Sequence, residues 1–237
     1  MAAPPYNPTP FDLWKNTIDA AKTDPAWAGY DAAIKETVDT YNTHLASAKN
    51  FRKLNWKLIK AMVWTESGGP TNPAWKSRPI QIGNAGDPGL AALLSGTEGG
   101  ELILPPPLAK ALTANTAAAQ PLANIQAGVG YLLMRAAKYG FANVEDPDDP
   151  VHDYVVKSGD SFSRIAGQNG STTQELQALN PGVQVIHPGQ HISIKKAQIV
   201  KQIIDFLVLD TATVAKLYNN HDLRYADKLD YCLSIIH

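Results

Sequence analysis

Glu66 is the side chain of this sequence best placed to move a proton. It stands in Ala61-Met62-Val63-Trp64-Thr65-Glu66-Ser67-Gly68-Gly69. Helical spacing sets it four residues after Met62, on the apolar stripe of Ile59, Met62 and Val63. A carboxylate on such a stripe at a helix end is costly unless it is paired or protonated. Desolvation raises its pKa above the reference of about 4.3, which suits a general acid for glycoside cleavage. On these residues alone, a surface glutamate with a packed stem and a hydrated head is the simpler reading. Among the other acids, Asp87 precedes Pro88 and reads as a helix N-cap, a role that holds a carboxylate on backbone N–H groups and lowers its pKa. Glu98 and Glu101 lie in a Gly-rich loop without a periodicity to place them.

The remaining reactive side chains suggest nothing further. Cys232 is the only cysteine and sits in an apolar run, where it reads as a small buried hydrophobe rather than a nucleophile. His187 and His191 are four apart, but Pro188 and Gly189 between them rule out a helix presenting both rings. No metal site and no cofactor are expected. A net charge of -1 over 237 residues leaves no electrostatic footprint for nucleic acid or an anionic membrane. With 44% hydrophobic and 18% charged residues, the chain can build one medium domain and one small one.

The elements that must carry Glu66 are helical. Residues 1–10 are Pro-rich and read as an extended arm. From Phe11 to about Ala46, Trp27, Tyr30, Ile34, Val38 and Tyr41 recur at helical steps. A second helix starts near Leu54, carries Glu66 and stops at Gly68-Gly69-Pro70. A short helix follows Asp87-Pro88, and Leu102-Ile103-Leu104 reads as a short strand. Pro121 opens a helix with Ile125, Val129, Leu132 and Leu133 facing inward, and Gly140 is its expected stop. Residues 143–150 read as an acidic, proline-bearing linker. After it come a strand at Tyr154–Lys157, a short helix at Phe162–Ala166, a capping box at Thr172–Glu175 and a strand at His191–Ile194. A helical pattern returns from Ala197 through Ile235, broken near Asp210 and His221.

The strand–helix–helix–strand unit at 151–196 resembles a LysM domain. The resemblance rests on Tyr154-Val155-Val156-Lys157-Ser158-Gly159-Asp160-Ser161, Phe162-Ser163-Arg164-Ile165-Ala166, Leu179-Asn180-Pro181-Gly182 and His187-Pro188-Gly189-Gln190-His191-Ile192-Ser193-Ile194. It implies binding of N-acetylglucosamine-containing glycans in a shallow groove. Gly159, Asp160, Ser161 and Phe162 would form one side, and Asn180, Pro181, Val183 and Ile186 the other. Exposed turn backbone suits N-acetyl groups, and apolar side chains cover sugar faces. The same residues also serve simply to shape turns and caps.

Glu66-Ser67-Gly68 resembles the opening motif of lysozyme-like lytic transglycosylases of the SLT type. That family's Gly-Leu-Met-Gln motif falls on Arg78-Pro79-Ile80-Gln81, where only Gln81 matches outright. Asn124-Ile125, Gly128, Tyr131 and Leu132 match the later helix motif, Leu217-Tyr218-Asn219 matches the Ala-Tyr-Asn motif in two of three positions, and Tyr225 with Ala226-Asp227-Lys228-Leu229 resembles the closing helix. The combination with LysM resembles muramidase effectors of type VI secretion. The implied fold is α+β: a mainly helical catalytic domain at 1–150 and 197–237, with the LysM domain inserted at 151–196.

The resemblance implies cleavage between N-acetylmuramic acid and N-acetylglucosamine in peptidoglycan. Glu66 would protonate the glycosidic oxygen and then take the C6 hydroxyl proton, leaving a 1,6-anhydro product. Ser67 would orient the carboxylate and Tyr218 would position the acid or the N-acetyl group. Gln81, Asn219 and Tyr131 would bind sugar. A hydrolytic muramidase, which usually needs a second carboxylate, a non-catalytic wall-binding protein and a chitin-directed enzyme are the alternatives. No secretory signal is read at the N-terminus. The expectation is therefore action in the periplasm or at the wall after delivery by a specialised secretion system or phage lysis. An immunity protein or secretion component is the expected partner, with no nucleic acid and no membrane.

Overall fold

A computed structural model describes residues 7–84 and 86–237; the expected arm at 1–10 therefore lies largely outside the described residues. The architecture is α+β, about half helical with small two-stranded sheets. The chain forms two compact units, Met1–Lys138 with Ile203–His237, and Tyr139–Gln202. Among the described residues, no helix is long and apolar enough to cross a membrane.

The larger unit begins with α1 (Pro10–Ile18), closed by a capping box between Thr9 and Asp12. The expected helix over 11–46 is not continuous. Two 3-10 turns, Asp19–Lys22 and Pro25–Ala28, separate α1 from α2 (Asp31–His44). Pro25 supplies no N–H, and Asp24 caps the turn it opens by accepting from Ala26 N. α3 (Trp56–Ser67) starts at the Asn55 cap and ends where Gly68 turns left-handed at φ 68°. α4 (Gly89–Ser95) follows Asp87, whose carboxylate accepts from Gly89 N at 2.8 Å and Gly83 N at 3.1 Å.

The segment expected as a strand at 102–104 falls in and after the single turn α5 (Gly100–Ile103), with Ile103 and Leu104 buried. A three-residue apolar run has no period of its own, so it could not be told apart from a strand. α6 (Pro106–Ala111), α7 (Ala114–Ala119) and α8 (Pro121–Ala136) complete this stretch. Ile125, Val129, Leu132 and Leu133 of α8 are fully buried, as are Ile59, Met62 and Val63 of α3.

α8 stops at Ala136, not at Gly140. β1 (Ala137–Glu145) follows at once and pairs with β4 (Ala197–Phe206), the segment expected to be helical. Ile199, Val200, Ile203 and Ile204 fall at helical spacing, yet they are β-branched and are drawn into a ladder with a partner far away in sequence. Leu207 N donates to Ala136 O at 2.9 Å. α11 (Thr211–Tyr218), capped by Asp210, and α12 (Tyr225–Ile235) end the chain's described elements.

In the smaller unit, β2 (His152–Val155) pairs antiparallel with β3 (His191–Ile194), in the register His152↔Ile194 to Val155↔His191. α9 (Phe162–Gln168) and α10 (Thr173–Leu179) lie between them in sequence. Val156, Ile165, Ala166, Leu176, Ile192 and Ile194 form its core. The expected acidic linker is structured. Asp149 is buried and accepts from Lys196 N at 2.8 Å, and Asp146 N donates to Lys196 O at 2.9 Å.

Candidate functional site

Glu66 occupies the last turn of α3, where the helix dipole presents its negative end and disfavours a carboxylate. Its Oε1 accepts a 2.6 Å hydrogen bond from the Tyr225 hydroxyl. Burial pushes the Glu66 pKa up; the hydrogen bonds from Tyr225 and the Asn219 side chain and the Lys228 charge oppose it, while the Asp222 charge adds to it. The net displacement is upward, so desolvation outweighs the donors. The arrangement is a partly buried acid with the Tyr225 hydroxyl as its donor.

The roles expected of its neighbours are redistributed. Ser67 does not touch the carboxylate: its Oγ donates to Val63 O at 2.6 Å and accepts from Gly69 N, because at a helix end the carbonyl four residues back is the nearer acceptor. Tyr218 does not hold the acid either. Its hydroxyl donates to Ile80 O at 2.8 Å and its ring meets Tyr131 edge-on at 5.8 Å. Burial, then the charges of Glu66 and Asp87, push its pKa well above the usual phenol value. Gln81 sits at φ 59°, with Nε2 donating to Arg78 O and Oε1 accepting from Asn84, so its amide is engaged within its own loop. Asn219 follows α11 and its Oδ1 accepts from Asp222 N at 3.3 Å; its side chain helps hold the Glu66 pKa down.

Tyr225, fully buried, is the residue whose role in holding Glu66 the sequence did not reveal. It lies 159 positions from Glu66, and only the packing of α12 on α3 brings the two together. The loop facing Tyr218 is fixed by Asn124, which is fully buried: its Oδ1 accepts from Ile80 N, and its Nδ2 donates to Ile82 O and Ala117 O. Gly128 is required beside it, since a Cβ there would lie 2.3 Å from Ile80 Cγ2 and 3.0 Å from the Tyr218 hydroxyl. Among the described residues, no cluster of three or more His, Cys, Asp or Glu side chains is arranged to hold a metal ion.

The smaller unit carries the second candidate site. Asp160 accepts from Lys157 N at 2.8 Å and from the Tyr154 hydroxyl at 2.9 Å, and these bonds, the backbone one foremost, lower its pKa. Ser161 caps α9 by accepting from Arg164 N, and the Gly159 carbonyl accepts from the Arg164 guanidinium. Asn180 clamps α10 to β3: Nδ2 donates to Leu176 O and Ser193 O, and Oδ1 accepts from Ser193 N. Thr172 caps α10 through Glu175 N, but the Glu175 carboxylate, buried at 2% exposure, turns to Asn143 instead of closing the box. Phe162 and Ile186 are half-buried against the core, while Pro181 is exposed.

A shallow depression lies along the loop after α10, lined by Gly182, Val183, Gln184, Val185, His187, Pro188 and Gln190. Of the eight residues expected to line a groove, Val183 borders this depression; Val185, not among the eight, also borders it and is 67% exposed.

Three comparisons with known proteins bear on these sites. The model of the LysM domain family matches residues 154–195. A segment of 43 residues, 17% of this chain, is 51% identical to part of the teichoic acids export ATP-binding protein TagH of Lactococcus lactis subsp. lactis (strain IL1403). That match spans 9% of the length of the Lactococcus protein. No solved structure matches the chain. With its paired strands, two capped helices and the family match in agreement, the segment 154–195 is a LysM domain, a peptidoglycan-binding module that implies association with the cell wall.

Proposed function

We propose that the larger unit cleaves the glycan strands of peptidoglycan between N-acetylmuramic acid and N-acetylglucosamine, with Glu66 as acid and then base, while the LysM domain holds the wall. The observation that carries this reading is the partly buried Glu66 carboxylate, raised in pKa and held at 2.6 Å by the Tyr225 hydroxyl. A carboxyl whose pKa is raised holds its proton to higher pH than a free one and can donate it to a glycosidic oxygen; once ionised, it is stabilised by the Tyr225 hydroxyl until it recovers a proton. Microscopic reversibility lets the same oxygen pair take the C6 hydroxyl proton of the muramic sugar.

Lytic transglycosylation is favoured over hydrolysis by the state of the neighbouring acids. Asp87 spends its two oxygens on Gly83 N and Gly89 N. Asp222 spends its own on Arg224 N and Lys228 Nζ. Carboxylate oxygens occupied by such donors are poorly placed to receive and activate a water. Mass spectrometry of fragments released from purified peptidoglycan tests the proposal. Wild type should release 1,6-anhydro fragments, lighter by one water than hydrolytic products, and Glu66→Gln should release none. Hydrated reducing ends would reassign the chain as a hydrolase. Equal release by both proteins would remove Glu66 as the acid, and release by neither would leave the chain a wall-binding protein.

A further inference from the structure

We propose that Lys228 is a positioning residue for Glu66: its ion pair with Asp222 closes the α11–α12 turn, the bracket that brings the Tyr225 hydroxyl to the carboxylate. This rests on the acid/base reading of Glu66. Lys228 Nζ lies 2.7 Å from Asp222 Oδ2, with both side chains about three-quarters buried. Asp222 is the knot of the turn. Its N–H donates to Asn219 Oδ1, and its Oδ1 accepts from Arg224 N at 2.9 Å, immediately before Tyr225. Tyr225 is the side chain that donates to Glu66, at 2.6 Å. Thus one ion pair spans the turn that delivers this donor.

The outer side of the bracket is walled by the N-terminal helix. Lys228 Nζ stands 5.4 Å above the Trp14 ring, Arg224 packs over Phe11, and Phe11 stacks on Trp14 at 5.7 Å. Trp14 meets Tyr231 edge-on, and the Tyr231 hydroxyl donates to Asp19 at 2.6 Å. Aromatic faces over an ammonium favour its charge and limit its hydration. The other charges around the site are paired among themselves: Arg224 with Asp227, Lys22 with Asp19, Lys15 with Asp12, and Lys60 of α3 with Asp31 of α2. The Lys228–Asp222 pair is therefore the charge pair whose two halves act on Glu66 with opposite sign.

The test is the Glu66 carboxyl midpoint, followed by carbon-13 NMR in the full-length protein without substrate, together with the pH profile of glycan release. Lys228→Met and Asp222→Asn each break the pair and loosen the turn, withdrawing the Tyr225 donor, so the midpoint and the alkaline limb of activity should rise in both by about half a pH unit or more. Asp222→Asn is the discriminating variant, since loss of its charge alone would move both down; Lys228→Arg should restore wild-type values. Circular dichroism checks that each variant is folded; should Lys228→Met not fold, Asp222→Asn carries the expectation alone. A fall in Asp222→Asn, or no shift in either variant, would overturn the inference. Activity surviving in Glu66→Gln would instead remove the acid/base reading, while the midpoints would still report on the bracket.

Discussion

Replacing Tyr225 with Phe should destabilise the protein at neutral pH and much less in acid. The substitution removes one hydroxyl, and its only recorded bond is the 2.6 Å contact to Glu66 Oε1. A hydrogen bond to a charged group is worth about 1.5–3 kcal/mol. At about 1.4 kcal/mol per pKa unit, losing it should raise the Glu66 pKa by roughly 1–2 units. The sign follows from linkage. Glu66 already has a folded-state pKa above its unfolded value, so this group favours the native state fully at low pH and progressively less as pH rises through the folded pKa. Tyr225→Phe widens that window upward, because the neutral acid scarcely needs the hydroxyl whereas the carboxylate does. Urea unfolding at about pH 4 and pH 8 reads the difference, and repeating it in the Glu66→Gln background closes a double-mutant cycle. A loss of stability equal at both pH values, or unchanged when Glu66 is already Gln, would refute the reasoning.

Two further perturbations follow from the geometry. Gly128→Ala should cost about 1–3 kcal/mol by overpacking, since its Cβ would lie 2.3 Å from Ile80 Cγ2; thermal unfolding measures the loss, and glycan release should fall with it as the Tyr218–Ile80 contact is displaced. In the LysM domain, Val185→Asp should weaken co-sedimentation of the full chain with insoluble peptidoglycan without lowering the unfolding temperature. Asn180→Ala should do the reverse, because Asn180 makes three bonds inside the module.

Local signals in the sequence were reliable where local physics decides the outcome. Asn55, Ser161, Thr172 and Asp210 cap helices as side chains of their type do, Gly68 ends α3, and the apolar stripe of α8 is buried as its period requires. The longest segment misread is one in which a distant partner decides. Ala197–Phe206 has helical spacing, yet it takes its hydrogen bonds from β1. The same holds at the site. Glu66 was singled out by its motif, its stripe alone favouring a surface glutamate, whereas its contact with Tyr225 was not legible, because no spacing rule links residues so far apart. Ser67 and Tyr218 were assigned to the acid by adjacency and by motif, whereas their hydroxyls donate to the carbonyls of Val63 and Ile80.

The order of the chain explains why this site needs a closed insertion. Glu66, Asn124, Gly128 and Tyr131 precede the smaller unit, and Tyr218, Asn219 and Tyr225 follow it, yet both stretches belong to one compact unit. Were residues 139–202 a slack loop, bringing α12 back to α3 would carry the closure entropy of the whole segment, which grows as the logarithm of its length. The pairing of β1 with β4, and the bond from Leu207 N to Ala136 O, return the chain beside the point where it left. The 2.6 Å contact of Tyr225 with Glu66 therefore depends on strands that carry no chemistry themselves. A substitution that breaks the ribbon, such as proline at Ile203, should reduce the order of α12 and raise the Glu66 midpoint, even though it touches neither the acid nor its donors.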